Sequence, residues 1–404
     1  MKLNFSRSRL SSRGRFGIAT IAVLFGAISQ MACSGPTFGQ EDSARQGSAL
    51  PGDVVSVEPY SFRLIPDVPT ETRAWKILYR STDALGNDDL VSGTLIVPDD
   101  GRTGTRPLVA WAVGTVGLGD QCAPSSTMST GKAAEAGSIA KALRRGWAVV
   151  VTDYPGLGTP GDHTYLVGRA EGAAVLDAAR AAQRLPEAQG EGVTIDSPVG
   201  IMGYSQGGHA SSWAGEMARE YAPELQIKGI VAGGLPSDLL ADVTDKMSLD
   251  GNGALSLMVS IGHDAAYPEL DLDPYLTPEG RALVQTMRGG CVLDNVMAAQ
   301  GKLLGDMLVR NPLDSPDWRK RFEDDRLGTR APGYPVYLYH GTTDEIVPYY
   351  LGERLRSAWC GLGNTVQWQS YPSAAHLPAV IAGSETAMNW LGDRLDGRPA
   401  DGNC

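Results

Sequence analysis

Residues 198–210 read Pro-Val-Gly-Ile-Met-Gly-Tyr-Ser-Gln-Gly-Gly-His-Ala. A short apolar run ends at Gly203, and apolar residues recur at helical spacing beyond Gly208. The pattern predicts a strand, a sharp turn and a helix, with Ser205 at the turn. A serine at such a turn is held in a strained backbone conformation that exposes its hydroxyl, while small neighbours let strand and helix pass closely. We therefore interpret Ser205 as a nucleophile; the alternative is a glycine-rich turn that merely contains a serine.

Strands and helices alternate on both sides of this segment. Apolar runs at 107–113 and 147–152 flank a helical stretch at 133–145, and a strand–helix–strand order implies parallel pairing. The remaining elements are strands at 74–81, 90–97, 227–232, 334–339 and 365–371 and helices at 165–185 and 385–395. The expected fold class is α/β, with a mostly parallel sheet flanked by helices.

The alternation stops near Gly233. From about residue 235 to 332 the sequence favours helices and loops, with no convincing strand. One helical stripe there is predicted from the spacing of Leu293, Val296, Met297, Leu303, Leu304, Met307 and Leu308. The simplest interpretation is one sheet domain, 53–234 and 333–404, interrupted by a helical insertion at 235–332.

The N-terminal region has the layout of a secretory signal peptide. Five basic residues precede an apolar run at 16–28, and small residues follow near Cys33. The run is too short to span a membrane as a helix. Residues 1–33 are therefore predicted to be a signal peptide, and residues 34–52, rich in Gly, Ser, Pro and Gln, a flexible tether. We expect an exported protein.

The charge of the chain limits its partners. The formal net charge is −11, and removal of residues 1–33 with their five basic side chains lowers it to −16. An acidic exported protein is a poor candidate for binding nucleic acid or anionic membrane surfaces.

Five cysteines are present, at Cys33, Cys122, Cys291, Cys360 and Cys404. In an oxidising compartment the last four can form two bridges, in any of three pairings. Cys33 lies where a lipid-modified cysteine would become the new N-terminus and attach the protein to a membrane. Lipid anchoring at Cys33 and cleavage beyond it, with free secretion, remain alternatives.

A serine nucleophile requires a base and an acid that orients the base. Of the five histidines, His376 is favoured as the base because it follows the last predicted strand, on a loop at the edge that carries Ser205. Asp344 follows the preceding strand and is the predicted acid, with Glu345 as the alternative. The order serine, acid, histidine is that of α/β-hydrolases. His340 is interpreted as a strand-end packing residue and His209 as one that packs beneath the turn.

The attack creates an oxyanion, which requires backbone N–H donors. The residue after the nucleophile, Gln206, is expected to supply one donor. The second should come from the loop after the 107–113 strand, where glycines at 114, 117 and 119 permit close approach, and we favour Thr115. The scattered histidines and the lack of an H-E-x-x-H pattern predict no metal site, and no cofactor is expected.

Four motifs together resemble those of the secretory lipase family, of the lipase A type. They are GYSQGGHA at 203–210, DYPGLG with GDHTYL within 153–166, HGTTDEIVP at 340–348, and GTVG with CAPS within 114–125. The resemblance extends from about residue 55 to the end. It implies an α/β-hydrolase with a helical cap at 235–332, a triad of Ser205, Asp344 and His376, Thr115 and Gln206 as the oxyanion pair, and bridges Cys122–Cys291 and Cys360–Cys404.

The expected function is therefore an exported carboxylic ester hydrolase that acts through an acyl-enzyme on Ser205. Lipid esters such as acylglycerols are the substrates that the resemblance implies, and the apolar cap is expected to cover the acyl chain. A peptidase or acyltransferase on the same scaffold is the alternative enzyme, because a triad does not specify the acyl donor or acceptor. The alternative from another class is a catalytically inactive, hydrolase-like binding protein.

Overall fold

A computed structural model describes residues 50–246 and 253–404. The predicted signal peptide, Cys33 and all but the last residues of the predicted tether lie outside the described residues. Within those two ranges, no helix is long and apolar enough to cross a membrane.

Nine strands form one mixed sheet, and two short strands pair separately. The strands are β1 Val54–Tyr60, β2 Arg63–Ile65, β3 Val68–Pro69, β4 Thr72–Thr82, β5 Asp88–Pro98, β6 Leu108–Ala112, β7 Ala148–Thr152, β8 Val199–Tyr204, β9 Ile227–Gly233, β10 Val336–Gly341 and β11 Val366–Tyr371. In the large sheet the order is β1-β4-β5-β7-β6-β8-β9-β10-β11. Along this order, β1, β4, β5 and β7 pair antiparallel with one another. The neighbours from β7 through β6, β8, β9 and β10 to β11 pair parallel. The predicted α/β class and the parallel pairing of β6 with β7 are confirmed.

The sequence did not predict β1. This strand lies at the edge of the sheet, and most of its side chains are exposed or half-buried. An edge strand has one neighbour and little apolar alternation, and Pro59 is tolerated in it because edge positions need not donate a ladder hydrogen bond.

Helices cover both faces of the sheet. The helices in residues 50–246 and 253–404 are α1 Pro124–Ser129, α2 Ala136–Arg144, α3 Gly168–Arg184, α4 Pro186–Gln189, α5 Gln206–Tyr221, α6 Leu239–Lys246, α7 Gly253–Ala266, α8 Pro278–Arg288, α9 Val292–Ala298, α10 Pro316–Asp324, α11 Tyr349–Gly361 and α12 His376–Leu395. α3 packs against α5, and α11 joins them where the Trp359 indole donates to Glu216. On the opposite face Arg145, which follows α2, forms an ion pair with Glu385 of α12.

The closing helix begins nine residues earlier than the sequence predicted. It was expected near 385–395 with His376 on a preceding loop, but α12 starts at His376 itself. Pro378 lies in the first turn, where a missing backbone N–H breaks no intrahelical hydrogen bond. The prediction that His376 is a loop residue is therefore wrong, although it does follow the last strand.

Helices α6–α10 lie between β9 and β10, and in the described residues 234–246 and 253–335 they are joined by loops, 3₁₀ turns and an isolated bridge rather than strands. Their buried side chains, together with some from outside this segment such as Leu118 and Tyr165, form a hydrophobic cluster separate from that of the sheet. The predicted single stripe is wrong: α9 ends at Ala298, and Gly301, with φ +73°, turns the chain before a short 3₁₀ helix at Leu304–Met307. Leu304 and Met307 are buried, whereas Met297 is exposed.

Candidate active site

Ser205 lies between β8 and α5 in a strained backbone conformation. Its φ and ψ are 58° and −121°, a region that non-glycine residues rarely adopt. Its backbone N–H donates to Gly233 O at 2.9 Å. The turn requires glycines on both sides, because a Cβ at Gly203 would lie 2.3 Å from Gly207 O and one at Gly207 would lie 2.0 Å from Ala112 O. The strand, sharp turn and helix predicted around Ser205 are all present.

Asp344 and His376 are brought together from the ends of neighbouring strands β10 and β11. The Nδ1 atom of His376 lies 2.7 Å from Asp344 Oδ2. The other carboxylate oxygen of Asp344 accepts the backbone N–H groups of Ile346 at 2.9 Å and Val347 at 2.8 Å. Both side chains are buried. The acid is thus held by backbone donors on one oxygen and faces the imidazole with the other.

The pKa of Asp344 lies well below its ordinary value. Burial by itself raises this pKa, but hydrogen bonds from His340 and His376, the charge of His376 and the N–H of Val347 together outweigh burial. Asp344 is therefore a carboxylate across the neutral range, and it can fix the His376 tautomer with its proton on Nδ1.

His340 contributes to this arrangement in a way that the sequence did not predict. Its Nε2 lies 3.2 Å from Asp344 Oδ2 and 3.0 Å from Val347 O. It was interpreted as a packing residue at a strand end, and it is fully buried there. The signal that could have revealed the contact is the spacing of four residues between His340 and Asp344 across a turn.

The backbone of His376 is also held in place. Its N–H donates to Glu345 Oε2 at 3.0 Å, so the alternative acid contacts the first turn of α12. Its carbonyl accepts the Tyr204 hydroxyl at 2.7 Å, and the two rings lie 5.0 Å apart. Because Tyr204 directly precedes Ser205, this hydrogen bond couples the position of the histidine to that of the serine.

Of the two expected oxyanion donors, one begins a helix and the other lies on the loop after β6. Gln206 is the first residue of α5, where the backbone N–H has no intrahelical acceptor. Thr115 follows β6, and its Oγ1 lies 2.7 Å from the Tyr165 hydroxyl. Neither backbone N–H has a hydrogen-bond acceptor within residues 50–246 and 253–404.

A buried polar network lies behind Gln206. Its Nε2 donates to Glu171 Oε1 at 2.7 Å and to the Nε2 of His163 at 3.1 Å. Burial lowers the pKa of His163 to about 4, more than its hydrogen bond to Pro155 O raises it, so this ring is neutral at neutral pH and can accept. His209 lies 3.3 Å from the other oxygen of Glu171, fully buried beneath the turn.

Ser205, Thr115 and His376 line one cavity of about 620 Å³. Its walls are mainly apolar and come from the loop after β6, α1, α2, β8 and α12, with three side chains from the segment between β9 and β10: Leu255, Val292 and Val296. Leu377 and Ile381, which also line it, are 64% and 77% exposed, so apolar groups reach the solvent at this part of the wall.

Two disulfides are present, Cys122–Cys291 and Cys360–Cys404, the pairing that the resemblance implies. The first joins the loop after β6 to the residue before α9. Backbone hydrogen bonds accompany it, from Leu118 N to Gly290 O and from Val292 N to Val116 O.

The family model described as secretory lipase matches residues 121–403. The chain belongs to the secretory lipase family. A probable inactive lipase of Mycobacterium tuberculosis is 28% identical to it, over 87% of this chain and 80% of the relative. Lipase 5 of Candida albicans is also 28% identical, over 82% of this chain and 74% of that protein.

The solved structure of Candida antarctica lipase A has the same fold. The TM-score is 0.77 at 23% identity, covering 87% of this chain and 84% of that chain. The α/β-hydrolase fold is thereby confirmed. As a member of the secretory lipase family, the chain is a carboxylic ester hydrolase, and the family indicates an exported enzyme.

Proposed function

We propose that this secretory lipase family member is a serine hydrolase that cleaves lipid esters through an acyl-enzyme on Ser205. The observation that carries the proposal is that Ser205, at a strained strand–helix turn, and His376, paired with Asp344, line the same apolar cavity.

The roles follow from the hydrogen bonds. Nδ1 of His376 is engaged by Asp344, which leaves Nε2 to take the proton of Ser205 as Oγ attacks the ester carbonyl. The tetrahedral intermediate collapses when the imidazolium returns that proton to the leaving alcohol. Water, deprotonated by the same nitrogen, then attacks the acyl-enzyme, and the acid is released as Ser205 regains its proton.

The oxyanion is proposed to be bound by the backbone N–H groups of Gln206 and Thr115. Both lack acceptors within the described ranges, and Thr115 lines the cavity beside Ser205. Donors that are already oriented stabilise the charge that develops on the carbonyl oxygen without reorganisation during the reaction.

The proposed substrates are esters with long apolar acyl groups, such as acylglycerols. A cavity of about 620 Å³ lies within the usual range for small-molecule sites, and its mainly apolar walls favour an aliphatic chain. The exposed Leu377 and Ile381 continue this apolar surface into solvent. The name of the Candida albicans relative, Lipase 5, supports the same substrate class.

An inactive hydrolase-like protein is the alternative raised by the relative named as a probable inactive lipase. The paired Asp344 and His376 and the strained Ser205 favour activity, since each would be free to change in a protein without catalysis.

Two further parts of the proposal concern regions outside the reacting groups. Residues 235–332 are proposed to be a cap, since Leu255, Val292 and Val296 reach the cavity from this segment. For the N-terminal region, lipid anchoring at Cys33 and free secretion after cleavage beyond it are distinguished by mass spectrometry of the mature protein. An unmodified start downstream of Cys33 excludes the anchor.

The central test is hydrolysis of nitrophenyl esters of graded acyl length. Ser205→Ala is expected to lower kcat by at least about 10³-fold, because its hydroxyl forms the covalent intermediate. Ser212→Ala is the matched control, since Ser212 is buried on α5, the helix that follows Ser205, and does not line the cavity. Ester hydrolysis that survives in Ser205→Ala contradicts the role of Ser205 as the nucleophile. Absence of any ester cleavage by the native protein supports the inactive alternative.

A further inference from the structure

A second carboxylate, that of Glu135, lies in the wall of the cavity. Its Oε1 accepts the backbone N–H of Gly114 at 2.6 Å, and its Oε2 accepts the Trp111 indole N–H at 2.6 Å. Both oxygens are therefore occupied by donors from the end of β6 and the loop that follows it. The proposed mechanism assigns no role to this group.

The Glu135 backbone is itself well anchored. Its carbonyl accepts the N–H groups of Ser138 at 2.9 Å and Ile139 at 3.0 Å at the start of α2. The side chain thus ties the first turn of α2 to the loop that carries Thr115. Glu135 lines the cavity, so this tie lies at the site rather than behind it.

A carboxylate at this position carries a free-energy cost. Burial raises the pKa of Glu135 by more than the hydrogen bonds from Gly114 and Trp111 lower it. Charged groups in apolar surroundings cost free energy unless they are paired. An apolar side chain would avoid this cost in the wall of a cavity for aliphatic groups, so the two hydrogen bonds are the feature that requires explanation.

The hydrogen bond to Gly114 fixes one end of a single peptide group, and Tyr154 fixes the other. The Tyr154 hydroxyl donates to Val113 O at 2.9 Å, while Gly114 N donates to Glu135. A planar peptide held at both its C=O and its N–H cannot rotate. The next residue, Thr115, is held through its side chain by Tyr165 at 2.7 Å. The N–H of Thr115 lies between these fixed points.

We propose that Glu135 is a positioning residue for the oxyanion hole: by holding the peptide between Val113 and Gly114, it orients the Thr115 N–H toward the Ser205 site. The inference rests on the proposed function, since it needs an oxyanion formed at Ser205. Glu135 does not contact the reacting atoms in this role; it acts through the loop.

The first test is Glu135→Gln in the full chain. The two donors reach different oxygens of Glu135, and in the amide one of these positions becomes an NH₂ group, which cannot accept from Gly114 or Trp111. We expect kcat for a nitrophenyl ester to fall about 10- to 100-fold, less than for outright removal of an oxyanion donor. KM should change little, because the ground-state ester makes weaker use of the donors than the transition state does.

The second test is rescue by Trp111→Phe. This substitution removes the indole donor, so in the Glu135→Gln/Trp111→Phe variant the one amide oxygen is free to accept from Gly114. The double variant is expected to regain activity over Glu135→Gln. If the losses of activity in Glu135→Gln and Trp111→Phe simply add in the double variant, as separate packing defects would, the proposal is overturned.

Glu216 provides a matched control. Its Oε1 accepts the N–H of Gly328 at 2.7 Å and the Trp359 indole N–H at 2.8 Å, but it does not line the cavity. Because one oxygen accepts both donors there, the amide oxygen of Glu216→Gln can keep both hydrogen bonds, and this variant is expected to retain kcat. Inhibition by an alkylboronic acid, which mimics the tetrahedral intermediate, should weaken in parallel with kcat/KM in Glu135→Gln only.

If Glu135→Gln does not fold, Tyr154→Phe tests the same peptide from its other end. It removes the donor to Val113 O, and kcat is expected to fall about 5- to 10-fold with KM nearly constant. An unchanged kcat in this variant, or in folded Glu135→Gln, overturns the inference while Ser205→Ala remains inactive. Activity in Ser205→Ala contradicts the proposed function instead.

Discussion

The core, meaning the sheet and the helices outside residues 235–332, and the segment between β9 and β10 contribute to the candidate site in different ways. The core supplies every polar side chain named in the mechanism and most of the cavity wall, including α2 and α12. The other segment supplies three apolar side chains, Leu255, Val292 and Val296. The acyl chain is therefore proposed to lie mainly against the core, and the segment at 235–332 to cover only part of it.

The two regions meet at the loop after β6. The Cys122–Cys291 bridge and the hydrogen bond from Val292 N to Val116 O hold this loop against the start of α9. Thr115 directly precedes Val116, so a region that supplies few wall residues still supports a proposed oxyanion donor. We therefore propose two roles: the core forms the reacting groups and the acyl wall, and the inserted helices brace the loop that carries Thr115.

The largest expected effect tests the reacting groups of the core. Asp344→Asn is expected to lower kcat about 10⁴-fold, because the amide no longer favours the tautomer that leaves His376 Nε2 free to accept a proton. Initial rates of hydrolysis of a short-chain nitrophenyl ester at varied concentration give kcat for each variant. Glu345→Gln is the control, because Glu345 accepts the backbone N–H of His376, and it should lose far less. Equal losses in the two variants would count against Asp344 as the acid.

A second, intermediate effect tests the support of the loop by the inserted helices. Cys122→Ser/Cys291→Ser and Cys360→Ser/Cys404→Ser are each expected to lower the free energy of unfolding by about 2–4 kcal/mol. Only the first pair should also lower kcat at a temperature where both variants are folded, because only that bridge adjoins the loop of Thr115. Denaturant unfolding and ester kinetics measure the two quantities. A similar kcat in both variants shows that the bridge does not brace the loop.

The smallest expected effect concerns the acyl wall. Ser138 of α2 and Val296 of α9 both line the cavity, one from each region. Ser138→Phe should lower kcat/KM for long-chain esters about 10-fold by filling the cavity, and leave short-chain esters nearly unchanged. Val296→Phe should have the weaker effect on the same series. A larger loss of kcat/KM for long-chain esters in Val296→Phe than in Ser138→Phe shows that the inserted helices, and not the core, select the acyl group.

Much of the fold was predictable because its signals are local. Buried parallel strands such as β6 and β7 are continuous apolar runs, and the turn at Ser205 demands glycines within two residues of the serine. The order of Ser205, Asp344 and His376 could be read along the chain, since each follows a strand whose carboxyl end lies at the same edge of the sheet.

The helical boundaries were less predictable. The start of α12 was missed because Pro378 normally ends a helix, and only its place in the first turn makes it compatible. The stripe assigned to one helix near 293–308 fails because Gly301 turns the chain, so spacing alone could not tell an exposed Met297 from a buried Met307.

The sequence by itself determined the α/β class, the turn at Ser205 and the residue types available for catalysis, because these depend on neighbours along the chain. The tertiary structure decided which groups meet: His340 against Asp344, Glu171 and His163 against Gln206, and Glu135 against Gly114 and Trp111. Most of these contacts join segments that are distant in sequence, and His340 meets Asp344 across the turn that follows β10. Apart from the four-residue spacing of His340 and Asp344, no local pattern indicates these contacts, because their geometry exists only once the sheet has brought its strand ends together.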